Sequence, residues 1–430
     1  MSTAHRSLEP SSRQSAAMTQ CPNRSAEAVA QGSFGATTFG RGSVAALGAL
    51  TALGAFTSDI VVPGVADIGA SFGASQQQSA LIVTLYLVGY GPGQFLWGTL
   101  TDRFGRRPTL LCGLILFVLS SIGCALATSF GQLLALRCLQ GAAVGCGPSI
   151  ARAIVRDIGE GRRGASLMAT MTAVLGVAPL FAPLLGAGLL VAFAWQAMFW
   201  FLALAGTAIL LTAVVLLPET LAAPDTEALR PARLWRKVVF LGRQSEFRFG
   251  FAVVCIIYGG YAALLGLGAL VGAQSYGIPG ERFGVIFTIA ASAFIAGALL
   301  ARRLVNNGGI LLATRLGGFA AGASGLALAA ITFQEPEFWV LWAVVSAYVF
   351  SFGMLLPVAT ARALEPAGQF AGFASSLLGA CMVLGGAVGS AIAAQFFDGS
   401  HRALCTVMAA AALAVFAICV SSRRPIERAT

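Results

Sequence analysis

Long apolar runs, separated by short clusters of charge, glycine or proline, occupy most of the chain between residues 44 and 421. Twelve such runs can be counted, at 44–66, 79–100, 108–128, 131–154, 165–191, 196–217, 248–273, 283–301, 310–333, 338–360, 369–395 and 403–421. A hydrocarbon core about 30 Å thick takes roughly 20 residues of helix per crossing, and most of the runs are close to that length. They are continuous and rich in Ala, Leu and Gly, without the alternation over roughly ten residues that marks a membrane strand, so they predict helices. The longest polar interruption, 218–247, falls after the sixth run. The expected organisation is an all-α membrane protein with twelve transmembrane helices in two six-helix bundles, 43–217 and 248–421, joined by a central loop at 218–247. Residues 1–42 are rich in Ser, Ala, Gln and Arg and lack an apolar stretch, which predicts a disordered arm and no cleaved signal peptide; 422–430 form a short polar tail.

Composition agrees with a chain whose main solvent is lipid: 57% of residues are hydrophobic and 10% charged, against roughly 25% charged in soluble domains. The net charge of +10 becomes a topology signal once it is placed by loop, because Lys and Arg concentrate on the cytoplasmic side. With the N-terminus inside, 24 of the 27 basic residues fall on that side, leaving Arg137, Arg282 and Arg402. Both termini are then expected in the cytoplasm and the chain in the inner cell membrane, against membrane lipid. A nucleic-acid partner would need a basic soluble module, and none is visible. The nine cysteines show no CxxC spacing, and His5 and His401 are the only histidines. Disulfides, metal and cofactor are therefore not expected.

The most specific local pattern lies between the second and third runs, where Gly98-Thr-Leu-Thr-Asp102-Arg103-Phe-Gly105-Arg106-Arg107-Pro108 resembles the GxLaDrxGrk signature of the major facilitator superfamily. A helix end leaves backbone groups unpaired near Asp102, Gly105 permits a tight turn, and the arginines can pair with carboxylates at neighbouring helix ends or with lipid phosphate. With Asp157 on the same membrane face, Asp102 and Arg106 form a candidate gate cluster. The alternative is an ordinary basic loop. Three further stretches resemble Bcr/CflA-type drug:proton antiporters within that superfamily: Asp59-Ile-Val-Val-Pro63, Arg137-Cys-Leu-Gln140-Gly141 followed by Ala151-Arg152-Ala-Ile-Val-Arg156-Asp157, and Ala178-Pro179-Leu-Phe-Ala182-Pro183-Leu-Leu-Gly186. The resemblance implies the major facilitator fold, with pseudo-twofold symmetry between the bundles. It also implies proton-coupled efflux of small amphiphilic or drug-like compounds by alternating access, with no catalytic residue, by a monomer. Gly98, Leu100 and Arg103 match Gly297, Leu299 and Arg302 at equal spacing, a faint internal repeat.

Ionisable residues inside apolar runs are costly and usually functional. Asp59 and Arg137 stand out, and at about 1.5 Å per residue they fall at nearly the same depth. They are expected to pair, with Asp59 exchanging between Arg137, a proton and a cationic substrate; a purely structural ion pair is the alternative. Tyr86, Tyr90 and Gln94, spaced i, i+4 and i+8, share a helix face that suits a cavity wall, with Gln140 beside Arg137; helix packing is the alternative. Pro179 and Pro183 remove two helical hydrogen bonds and Gly186 removes bulk, giving a helix that bends and packs closely, either as a moving part or as a static kink. No GxxxxGK[ST] loop supplies ATP chemistry, and no HExxH or GxSxG arrangement marks an enzyme. A gradient-driven transporter of small molecules remains. An importer of a small nutrient on the same fold, or a transport-inactive membrane sensor, stays open.

Overall fold

The computed structural model describes residues 41–158 and 161–421, and all regular structure among them is helical. Span 1 is built from Arg41–Asp59, a 3₁₀ turn at Val62–Gly64 and Val65–Ser71. Span 2 is Gln76–Phe104, span 3 Arg106–Ala125, and span 4 joins Phe130–Val144 to Cys146–Ile158. Spans 5 and 6 are Gly161–Ala192 and Gln196–Leu216. A connecting helix, Pro231–Arg243, precedes span 7, Ser245–Tyr276. Gly280–Ile331 is two helices meeting at a kink: Gly309 takes φ 79°, a backbone state that favours glycine, and separates span 8 (280–308) from span 9 (310–331). Spans 10, 11 and 12 are Phe338–Leu364, Ala371–Gln395 and Arg402–Ser421. Eleven long apolar helices among the described residues thus supply twelve crossings. The fold is the all-helical, two-bundle one expected from the sequence.

Local chemistry explains the breaks. Pro63 sits in the first turn of the 3₁₀ segment, and Pro148, lacking an N–H, cannot bond back to Val144, where span 4 is interrupted. Span 2 opens on a capping box: the Gln78 N–H donates to Ser75 Oγ at 3.2 Å and the Ser75 N–H to Gln78 Oε1 at 2.8 Å. Two boundaries differ from the sequence expectation. The polar arm lies outside the described residues up to residue 40, but Arg41 and Gly42 already belong to span 1. The interruption at 218–247 contains the connecting helix, started by Pro231 at its first position, where the missing N–H costs nothing. The tail at 422–430 lies outside the described residues.

In lipid, apolar side chains gain little by meeting one another, so association relies on small residues that let backbones approach. Gly89 and Gly93 of span 2 face Cys138 and Ala142 of span 4, and Trp97 Nε1 donates to the Ala142 carbonyl at 2.7 Å. Spans 8 and 10 repeat the arrangement in the second half, with Gly297 on Phe350, Gly353 on Phe294, and Trp342 Nε1 donating to the Ile286 carbonyl at 3.2 Å. The short Gly-Leu-Arg repeat does not share this correspondence: Gly98 faces Ser376 of span 11, across the molecule, whereas Gly297 faces its own half.

The halves meet along a seam formed by spans 2 and 11. From one face to the other it is marked by Gln77 Nε2 donating to the Phe397 carbonyl at 2.9 Å, the Thr84 and Ser390 hydroxyls 2.8 Å apart, and the Phe95 and Phe373 rings at 5.8 Å. At the face nearest Pro63, Gly280 and Gly284 of span 8 close onto Pro63 and Pro183. In this conformation the halves are in contact at both faces.

Candidate functional site

Asp59 is the last residue of the first helix of span 1, at the point where the 3₁₀ turn interrupts it. Its side chain is 1% exposed. Oδ1 lies 2.7 Å from the Ser58 hydroxyl, which also lies 2.8 Å from the Ala55 carbonyl, so one hydroxyl proton is divided between two acceptors. Oδ2 is buried without a hydrogen-bond partner. Tyrosines of both halves stand within electrostatic reach: Tyr86 and Tyr90 of span 2, and Tyr258 and Tyr261 of span 7. Tyr86 and Tyr90 are 5.7 Å apart, and Tyr261 stacks on Phe352 of span 10 at 5.0 Å. A buried carboxylate with an unsatisfied oxygen is costly, and a proton or a cation relieves that cost.

Asp59 and Arg137 do not pair in this conformation. Arg137 is completely buried on span 4 and its guanidinium is engaged elsewhere: Nε donates to the Ile82 carbonyl at 3.2 Å, Nη1 to Gln140 Oε1 at 2.6 Å, and Cζ lies 4.4 Å over the Tyr86 ring. Gln140 Nε2 in turn donates to Ser121 Oγ at 2.8 Å. The residue count puts the two charges at similar depth, but the Arg137 guanidinium is directed to Ile82 of span 2 and, through Gln140, to Ser121 of span 3, while Asp59 is bonded to Ser58. Tyr86 interacts electrostatically with both and ties its own hydroxyl to the Gly54 carbonyl at 2.6 Å. Tyr86, Tyr90, Gln94 and Gln140, expected along a cavity wall, are all buried, and Tyr86 and Gln140 are tied within the first half to Gly54 and Ser121. Gly186 of span 5 reaches the same region, set against the Ile60 carbonyl beside Asp59 so closely that a Cβ would collide with it. Pro183 is buried at the contact with span 8, while Pro179 is half-buried.

At the opposite face the structure brings Asp102, Arg106 and Asp157 together. Arg106 Nη1 meets Asp102 Oδ1 at 2.5 Å, and Nε meets Asp157 Oδ2 at 2.8 Å. Arg106 is 3% exposed and Asp102 42%, so one buried cation is served by carboxylates that reach toward water. Gly105, between spans 2 and 3, has φ 96°, and a Cβ there would also lie 2.6 Å from Glu219 Oε2. Arg103 is exposed beside Phe104, and Arg107 Nη2 donates to the Val214 carbonyl at 2.8 Å.

Several participants were not evident from the sequence. Glu219, just past span 6, accepts from the backbone N–H groups of Arg106 (2.9 Å), Arg107 (3.0 Å), Thr220 (2.9 Å) and Leu221 (2.9 Å). Partial burial works against its charge, but these donors prevail and hold its carboxyl below the usual range. Thr220 Oγ1 donates to Asp157 Oδ2 at 3.1 Å, and the Asp225 N–H to the Asp102 carbonyl at 2.9 Å, so the start of the central stretch is strapped across the cluster. In the second half, Arg362 at the end of span 10 pairs with Glu246 at the start of span 7 at 2.7 Å and stacks 3.6 Å over Phe249. The Tyr258–Tyr261 spacing, i and i+3 in an apolar run, was the available signal for the far wall of the Asp59 site.

The family model described as Major Facilitator Superfamily matches residues 47–390. The chain is similar to a bicyclomycin resistance protein homolog of Haemophilus influenzae, with 29% identity covering 86% of this chain and 94% of that protein. It is also similar to multidrug resistance protein MdtL of Escherichia coli, with 28% identity covering 83% and 89%. Among solved structures, a D-xylose–proton symporter superposes with a TM-score of 0.69 at 15% identity, over 88% of this chain and 96% of that one.

Proposed function

The chain belongs to the major facilitator superfamily and is a multi-pass membrane transporter, and on that premise we propose that it exports small amphiphilic or drug-like compounds across the inner cell membrane in exchange for protons. The observation that carries this reading is Asp59: buried, one oxygen without a partner, at a helix break, and within electrostatic reach of tyrosines of both halves. A carboxylate so placed can hold either a proton or the cationic part of a substrate, and that competition exchanges one for the other. The resistance named for the two relatives supports export over import.

The closed conformation lies between two open ones in this reading. Separation at Pro63 and Gly280 opens one face; release of the Arg106 cluster opens the other, the cytoplasmic one in this reading, which the excess of basic residues supports. The cluster joins a buried Arg106 to Asp102 and Asp157, of which Asp102 is 42% exposed, so solvent screens its pairs only in part and they favour the closed form of that face. Arg137 holds span 4 against span 2.

Ethidium accumulation in cells with and without the gene, extended to a panel of antibiotics, tests direction. Export predicts lower accumulation and raised resistance when the gene is present. Higher accumulation would support the nutrient-importer class, and no change across the panel would support a sensor.

A further inference from the structure

Arg152 lies on span 4 beyond its break, against the seam with span 11. Its Nε and Nη2 are shut off from solvent without a hydrogen-bond partner. The other deeply placed guanidiniums are each engaged: Arg106 by two carboxylates, Arg137 by a carbonyl, an amide and a ring although its Nη2 has no partner, Arg362 by Glu246 and a ring. No ion pair or cation–π contact among the described residues serves Arg152. Its electrostatic neighbour is Tyr90, which also interacts with Asp59 and hydrogen-bonds Gln94.

Span 11 leaves space here. A Cβ on Gly379 would lie 2.6 Å from Gln94 Oε1 and 3.7 Å from Arg152 Nη2, so the missing side chain gives the amide and the guanidinium their room. One turn along span 4, Arg156 lies against Gly372, and beyond it Lys237 of the connecting helix stands over the Phe370 and Phe373 rings at 5.8 and 5.2 Å. Basic residues therefore run from the Asp102 face down the seam to Arg152, and Tyr90 stands within electrostatic reach of both Arg152 and Asp59. The closed interior is bipolar, with an unpartnered cation toward one end and a carboxylate toward the other.

An uncompensated cation in low dielectric is expensive, and such residues in membrane proteins mark places where a charge arrives. A guanidinium fork matches a carboxylate or another flat or tetrahedral oxyanion through paired N–H donors. We propose that Arg152 receives an acidic group of the transported compound, so that the seam selects amphiphiles carrying both an amine and an acid, the amine toward Asp59 and the acid on Arg152. The amine end rests on the exchange reading of Asp59; the acid end rests on Arg152 and the space at Gly379.

Rhodamine 110 and its methyl ester, rhodamine 123, share a chromophore and differ in the free acid. Their binding to the purified full chain in nanodiscs, read by fluorescence polarisation, compares wild type with Arg152→Gln, Arg152→Lys and Asp59→Asn. Wild type is expected to hold the free acid more tightly. Arg152→Gln should weaken the free acid about tenfold, the loss typical of a charge-assisted hydrogen bond, and change the ester by less than about twofold. Arg152→Lys, which keeps the charge and loses the fork, should weaken the free acid by an intermediate factor, and it decides the matter if the Gln variant does not fold. Equal weakening of both dyes would overturn the proposal, showing Arg152 to serve the fold or to pair with a carboxylate of this chain in another conformation. No preference in wild type, or no binding of either dye, would overturn it as well. The exchange reading fails separately, if bound dye is not moved by a pH gradient in proteoliposomes.

Discussion

Glu219 and Asp59 are carboxylates in opposite circumstances. Glu219 is rich in donors and Asp59 is starved of them. Because donors hold the Glu219 carboxyl below its ordinary value of 4.5, its stabilising effect is fully present above that value and is lost as pH falls through the lower folded value. Glu219→Gln is expected to lower the thermal midpoint in detergent by about 1–2 °C at pH 7, a small drop because the group is partly screened by solvent. The gap from wild type should narrow as the medium is acidified below 4.5; a gap constant from neutral pH to acid would show that the carboxylate charge is not what holds the strap. Asp59 and the Asp102–Arg106–Asp157 set could be picked out in the sequence because a charge in an apolar run, or a fixed Gly-Asp-Arg spacing, is a local signal. Glu219 could not, since it reads as one acid in a polar stretch and acquires its role only when the chain folds back on Arg106. The direction of Arg137 was equally hidden: depth follows from residue count, whereas azimuth depends on how span 4 packs against spans 2 and 3.

Span 5 meets span 1 at the interruption that carries Asp59, and the contact depends on Gly186. Gly186→Ala would drive a Cβ into the Ile60 carbonyl, whereas Gly188, two residues on, has nothing within 4 Å of a Cβ. Overpacking a close contact costs about 1–3 kcal/mol, and an exposed change away from any such contact stays within about 0.5 kcal/mol. Gly186→Ala should therefore destabilise the protein and slow dye export, with Gly188→Ala near wild type in both. Equal behaviour of the two, by thermal unfolding and export rate, would remove span 5 as the support of the Asp59 break. The twelve crossings were legible because lipid demands long apolar helices. The connecting helix was not, since its polar and apolar residues alternate in an amphipathic pattern within a stretch too charged to stand out by hydropathy.

In the proposed exchange cycle, the form with the halves in contact at both faces is one stage. Joining Gln77→Cys to Phe397→Cys with a short bifunctional reagent, in a background without other cysteines, should hold the Pro63 face shut and stop transport, with recovery on reduction of a cleavable linker. Transport at the full rate in the cross-linked protein would exclude separation of spans 2 and 11 there. The most direct measurement reconstitutes the protein in liposomes, imposes a pH gradient and follows rhodamine 123. Proton-coupled exchange by Asp59 predicts dye movement against the proton flow, collapse with a protonophore, and loss of gradient-driven movement in Asp59→Asn while dye–dye exchange persists, since Asn stays neutral throughout the cycle. Gradient-driven movement by Asp59→Asn at the wild-type rate, or dye moving in the same direction as protons, would contradict it.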